Sequence, residues 1–216
     1  MKRPRGAKGV NGATRRRSGA QSGNNAPERR GAGRPDRLRQ NRTVRFEHLI
    51  QINDPLMPLL DTLTREQLWR GLVLRAEDPT QFVFGLEIAT IHSRRHVGEE
   101  IELVRTLDFG SFKVDDRVRL LPQLRSEIHT HAGPTWPASR MRIEIEEPQP
   151  ELLFLRFIYE SDEIVGAGEL DDVTTALRKQ AYERADLDTV ARIRALAEEG
   201  WLDEAAARRL ACMPKH

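Results

Sequence analysis

Residues 101–121, IELVRTLDFGSFKVDDRVRLL, restrict what this chain can fold into more than any other segment, because they specify a hairpin together with its register. Two alternating stretches meet at Gly110-Ser111, a dipeptide suited to a two-residue turn with positive φ at the glycine. With Phe109 and Phe112 flanking that turn, one face pairs Ile101 with Leu120, Leu103 with Val118 and Leu107 with Val114, while the other pairs Glu102 with Arg119 and Asp108 with Lys113. Apolar meets apolar and opposite charges meet. The same register sets Arg105 opposite Asp116 in the middle of the apolar face. Such a pair is costly to desolvate and persists only with good geometry and further hydrogen bonds. It is either a polar anchor on a cavity wall or a structural pair near the sheet rim.

Charge divides the chain near residue 42. Residues 1–42 carry 13 Lys or Arg against two acids, Glu28 and Asp36, whereas the remaining 174 residues carry 22 basic against 31 acidic side chains. The first piece is rich in Gly, Ala, Arg, Ser and Asn and almost lacks large apolar residues, so it is expected to be disordered. Clustered Lys and Arg suit nucleic acid or an anionic membrane. The tail has no aromatic residue for base stacking, however, and nucleic acid is not the expected partner. Three duller readings compete: a start codon assigned too far upstream, a leader appended for expression, or an Arg-rich, acid-poor organelle transit peptide. Residues 43–212 are expected to form one domain with a single core. The lone cysteine, Cys212, gives disulfides and cysteine-ligated zinc no part in it and makes the cytoplasm the default compartment. No apolar run approaches the roughly 20 residues that a membrane span needs.

Thr43 to Ile52 alternates as a first strand, with Val44, Phe46, His48, Ile50 and Ile52 on one side, and Asn53-Asp54-Pro55 stops it. Thr64 and Gln67 form a capping box ahead of a helix over about 64–75, and Asp78-Pro79 opens a single turn through Phe82. Strand patterns follow around 86–92, in the two arms of the hairpin, and over 125–131, 140–146 and 151–160. A long helix is predicted from Val173 to Glu199, with Tyr182, Ala185, Thr189, Ile193 and Leu196 along one stripe. Gly200 stops it, and Asp203 caps a short final helix. The economical packing is an α+β helix-grip: a curved antiparallel sheet of about seven strands wrapped round the long C-terminal helix, with two short helices after the first strand. A sheet that curls round a helix leaves a wedge between them, and such wedges commonly become ligand cavities.

The runs FEHLIQINDP (46–55), LTREQLWRGLVLRAEDPTQFVFGL (63–86), VDDRVRL (114–120), IEIEEPQPELLFLRFIYE (143–160) and ADLDTVARIRALAEEG (185–200) resemble the family of acetylaranotin-cluster protein L-like proteins. That family is grouped with the Bet v 1-like, START and polyketide cyclase superfamily. The resemblance covers about residues 43–200 and implies a helix-grip fold with an internal cavity. It supplies no catalytic motif that maps residue by residue, and residues 1–42 have no counterpart in it.

The expected ligand-binding residues are Arg105 and Asp116 as polar anchors, Trp69 and Tyr159 as aromatic bodies with a donor, and Phe46, Leu103 and Phe157 as apolar lining. Core packing is the competing role for each aromatic side chain. Asp116 and His129 are the candidates for acid–base work. His129 and His131 face the same way, but two ligands fall short of a transition-metal site, and no metal or cofactor is expected. No Gly-x-Ser-x-Gly elbow occurs, and the glycines at 6, 9 and 12 precede no strand-to-helix turn. The expected function is binding of a small, largely hydrophobic or aromatic molecule with a polar group, as a carrier, sensor or accessory protein of small-molecule metabolism. A cyclase- or dehydratase-like enzyme acting in the same cavity is the competing class, and a nucleic-acid adaptor working through the tail is a third.

Overall fold

The computed structural model describes residues 41–203 except 55, 58–59 and 165–168. The basic tail, Cys212 and the helix expected beyond Asp203 lie outside the described residues. Seven strands form one antiparallel sheet: β1 (Asn41–Gln51), β2 (Ile88–Val97), β3 (Glu100–Asp108), β4 (Lys113–Leu121), β5 (Arg125–Thr130), β6 (Ser139–Gln149) and β7 (Leu152–Ile164). Their order across the sheet is β1-β7-β6-β5-β4-β3-β2, so β2 to β7 form a meander and β1 adds itself to β7. The chain crosses from one edge to the other through α1 (Arg65–Glu77) and a 3₁₀ turn at Pro79–Gln81, and α2 (Glu169–Glu198) follows β7.

Local chemistry sets the boundaries. Thr64 Oγ1 accepts the Gln67 backbone N–H at 3.1 Å and Gln67 Oε1 accepts the Thr64 N–H at 2.9 Å, the capping box expected at the start of α1. Between β1 and α1 the buried Asn53 amide donates to the Leu63 carbonyl at 2.8 Å and accepts the Leu63 N–H at 3.0 Å, pinning the connection at both its ends. The β3–β4 hairpin has the predicted register throughout, Gly110 turns with φ 75°, and the Phe109 and Phe112 rings stack at 4.8 Å. One detail differs. Glu102 and Arg119 are opposed along the backbone, yet Arg119 reaches Glu100 at 2.5 Å and Arg117 reaches Glu102 at 3.5 Å. Long side chains on a twisted sheet meet diagonal neighbours as readily as direct ones.

Because side chains alternate, the pairings arrange the inner face of the sheet in rows. One row runs His48, Phe157, Ile143, Ser126, Leu120, Ile101, and the next Phe46, Tyr159, Met141, Ile128, Val118, Leu103. These rows pack against Leu68, Trp69 and Leu72 of α1 and Val190, Ile193 and Leu196 of α2 in one core. Among the described residues the interior under the C-terminal half of α2 is therefore filled, so the expected hollow does not extend there. The buried stripe on α2 also differs from expectation: Ala185 is exposed, while Asp186 and Val190 are buried beside the expected Thr189. A carboxylate at a core-facing position is masked in a pattern that counts only apolar residues.

The two helices meet at Gly71, where an added Cβ would lie 2.8 Å from both γ carbons of the fully buried Ile193. A β-branched side chain with no free rotamer cannot give way. Gly71→Ala is expected to destabilise the fold by about 1–3 kcal/mol, overriding its gain in helix propensity. In the Ile193→Ala background the same substitution should cost much less, and additive costs in urea unfolding would show that the two residues do not clash.

Candidate functional site

The row at the next level of the inner face changes chemistry. Val44, Ser161, Ser139, Thr130, Asp116 and Arg105 follow one another across β1, β7, β6, β5, β4 and β3. Its first half borders a cleft of about 180 Å³, open at the end of the grip where α2 begins. Phe46, Ile128, Met141 and Tyr159 from the neighbouring row, Tyr182 of α2, and Arg140 and Glu160 at the rim complete the lining. Tyr159 and Tyr182 stack with centroids 4.0 Å apart, and Phe46 meets Tyr182 edge-on at 5.7 Å, which makes one wall flat and aromatic.

Behind that wall lies a buried polar cluster. Asp186, 1 % exposed, accepts the Tyr159 hydroxyl at 2.5 Å and stands 3.2 Å from His48 Nδ1. Burial pushes the Asp186 carboxyl above its ordinary pKa, and the hydrogen bonds from Tyr159 and His48 only partly offset this. Burial and the neighbouring Asp186 carboxylate raise the Tyr159 phenol, so it stays a proton donor. Arg75 of α1 reaches into the same region. Its Nη2 sits 3.8 Å from Met141 Sδ, its Nε has no hydrogen-bond partner, and burial lowers its pKa against the attraction of Tyr159, Asp186 and Asp116. Of this cluster only Tyr159 was singled out as a binding residue from sequence. Asp186 gave one usable signal, a carboxylate four residues after Tyr182 and three before Thr189.

Arg105 and Asp116, 2 % exposed each, form a bidentate pair: Nε donates to Oδ1 at 2.9 Å and Nη2 to Oδ2 at 2.5 Å. The remaining nitrogen, Nη1, donates to the Ala76 carbonyl at 2.5 Å, so the pair clamps the last turn of α1 onto the sheet. Neither residue borders the cleft. Trp69, Leu103 and Phe157, expected to line it, are packed into the core instead: Trp69 on the inner side of α1, Leu103 at the far end of the row that the cleft borders, and Phe157 one row deeper. Phe46 and Tyr159 do line it.

His129 and His131 do not line the cleft. With Arg140, Glu160 and Asp162 they border an adjoining groove of about 400 Å³ that shares Thr130, Ser139, Arg140, Glu160 and Ser161 with it, and alternation sends the side chains of His129, Arg140 and Glu160 to the outer face. Burial and the Arg140 charge lower the His129 pKa. Among the described residues no three His, Cys, Asp or Glu side chains converge on a metal position, and no helix is long and apolar enough to cross a membrane.

An antiparallel sheet gripping a long helix, with a cleft opening at one end, defines a protein of the helix-grip class. The sequence profile described as acetylaranotin biosynthesis cluster protein L matches residues 50–200, and the chain belongs to that family. Among solved structures it is similar to the di-domain aromatase/cyclase StfQ from the steffimycin biosynthetic pathway, with a TM-score of 0.53 and 13% identity over 74% of this chain. The match spans 53% of StfQ, about half of that protein's length. The Zhui aromatase/cyclase from Streptomyces sp. R1128 gives a TM-score of 0.47 at 12% identity, covering 76% of this chain and 98% of that one. Ara h 8.0201 gives 0.48 at 8% identity, covering 73% and 99%. The likeness to StfQ speaks for the fold alone. No curated protein matches the sequence.

Two outcomes follow for the buried groups. Arg105→Met is expected to cost about 3–5 kcal/mol, because it strands the Asp116 carboxylate and the Ala76 carbonyl, whereas adding Asp116→Leu should recover much of that loss. Equal unfolding midpoints for wild type and the single variant would remove the clamp. Since the Asp186 pKa is raised on folding, its contribution is fully present below the unfolded carboxylate pKa and is lost as pH rises through the folded value. The stability of wild type relative to Asp186→Asn should accordingly fall as pH rises from about 4 into the neutral range. A rising or flat difference in urea unfolding would refute the assigned direction.

Proposed function

We propose that the domain binds a small, largely hydrophobic molecule with a polar group in the cleft between β1, β7, β6, β5 and α2. The observation that supports this most is the cleft itself, whose wall of Phe46, Ile128, Met141 and the stacked Tyr159–Tyr182 pair is left open beside a closely packed core. Cores are close-packed, so apolar volume kept open on the inner face points to an occupant. The Arg105–Asp116 pair serves this reading indirectly, by fixing α1 against the sheet.

A second reading, acid–base catalysis on the same molecule, is favoured by the Asp186 carboxyl. It combines a raised pKa with hydrogen bonds to a phenol and an imidazole directly behind the cleft wall. In that case Asp186 exchanges the proton, Tyr159 relays it from the cleft side, and His48 orients the carboxyl. The candidates expected from sequence, Asp116 and His129, are committed to the α1 clamp and to the outer groove.

The binding reading is tested with N-phenyl-1-naphthylamine, a neutral fluorophore that brightens in apolar surroundings. The full chain is expected to bind it saturably at one site, and Val44→Trp, which fills the cleft from its edge, should weaken binding at least tenfold without lowering the unfolding temperature. Absence of saturable binding, or unchanged affinity in the variant, would end the proposal.

A further inference from the structure

The cleft and the buried carboxyl behind it share a residue. Tyr159 lines the cleft and, through its hydroxyl, holds Asp186 Oδ1 at 2.5 Å. Asp186 is 1 % exposed, so solvent acts on its charge mainly across this wall and past His48, whose side chain is 26 % exposed. The surroundings satisfy either protonation state without moving. When Asp186 is ionised, Oδ2 accepts the His48 Nδ1–H across 3.2 Å; when it is neutral, its O–H donates to the same nitrogen in the other tautomer. Tyr159 donates to Oδ1 in both states, and the partly exposed imidazole exchanges protons with solvent.

Charged and titratable groups face this carboxyl from every element packed on it. Tyr159 stands on β7, His48 on β1, Tyr182 one turn earlier on α2 and Arg75 on α1. The Arg105–Asp116 pair lies beyond Arg75, and Arg140 and Glu160 stand at the cleft rim. Burial is the strongest influence on Asp186 and opposes its charge; the hydrogen bonds from Tyr159 and His48 come next, and the His48 and Arg75 charges favour ionisation less. An uncharged occupant of the cleft replaces solvent on the far side of Tyr159 with apolar matter. It deepens the burial and brings the carboxylate no new partner. The attraction of Arg75 also strengthens in drier surroundings, but it starts as the smallest of these influences, so the neutral carboxyl gains.

We propose that filling the cleft and protonating Asp186 are linked, so that an uncharged molecule binds with uptake of one proton from solvent onto this carboxyl. This rests on the cleft being the binding site and adds its regulation. Linkage is reciprocal, so the proton favours the occupant as much as the occupant favours the proton. Affinity is highest where Asp186 is protonated in the empty protein. It falls as pH rises through the window in which only the occupied protein keeps the proton, and levels off above it.

The probe is N-phenyl-1-naphthylamine, titrated by fluorescence into the full chain from about pH 4 to about pH 8, the span between an ordinary carboxylate and a strongly raised one. Wild-type affinity is expected to fall about fivefold or more as pH rises, since each unit by which occupancy raises the carboxyl is worth about tenfold. Asp186→Asn should flatten the profile to within about twofold, leaving only what Glu160 and the other groups contribute. His48→Leu should keep the fall and move it to higher pH, because His48 favours the ionised carboxyl. In weakly buffered solution a pH-indicator dye should register proton uptake when the probe is added to wild type, a reading that serves even if a variant fails to fold. A flat or rising wild-type profile, the same fall in Asp186→Asn, its loss in His48→Leu, or binding without proton uptake overturns the linkage while leaving the cleft as a binding site. Failure of the probe to bind saturably at any pH removes the binding reading itself.

Discussion

The strand register over the rows that face the core, broken only outside them by bulges at Ile91/Ser93 and Glu146/Gln149, is the constraint on which the rest of this molecule depends. One face of the sheet must cover the core, and side chains alternate strictly, so a slip of one residue anywhere would turn a whole strand's apolar set to water. With the register fixed, side chains fall into rows that run across the sheet, and each row has its own chemistry. The deeper rows are mostly apolar and, apart from the stretch of Phe46, Tyr159, Met141 and Ile128 that borders the cleft, pack under Leu68, Trp69 and Leu72 of α1 and Ile193 and Leu196 of α2. The row nearest the open end is polar, from Ser161, Ser139 and Thr130 to Asp116 and Arg105. The clamp on α1 and the hydrogen-bonding side of the cleft are thus two halves of one row.

The two buried polar sets solve the desolvation problem differently. Arg105 and Asp116 are matched in charge, bidentate, and completed by a helix-end carbonyl, which leaves them nothing to offer a ligand. Asp186 is held by a phenol and an imidazole, its carboxyl is less willing to ionise than usual, and it lies directly behind an aromatic cleft wall. The first arrangement fixes geometry. The second keeps a proton-exchanging group near an open space, and that difference directs attention to Tyr159 and Asp186 wherever chemistry beyond binding is considered.

Much of this architecture was legible in the residues. The hairpin at Gly110, the capping box at Thr64 and the long α2 all follow from short-range rules, and the resemblance to the acetylaranotin-cluster family pointed to the same helix-grip. The site was less legible. Phe46 and Tyr159 were expected in the lining and are there, but Trp69, Leu103 and Phe157 are core residues, because alternation tells which face a residue takes and not how far along that face the helices reach. Asp186 was passed over because a carboxylate breaks an apolar stripe, and Ala185 was taken in its place.

Sequence by itself determined the elements, their order, the register of the central hairpin and the opposition of Arg105 to Asp116, since each depends on neighbours a few residues away or across one tight turn. Only the tertiary structure decided where the wedge between sheet and helix is packed and where it stays open. That depends on how closely α1 approaches α2 at Gly71 and on which row of the sheet each helix covers. These are distances between residues more than a hundred positions apart, set by the volumes of side chains that meet only once the chain has folded.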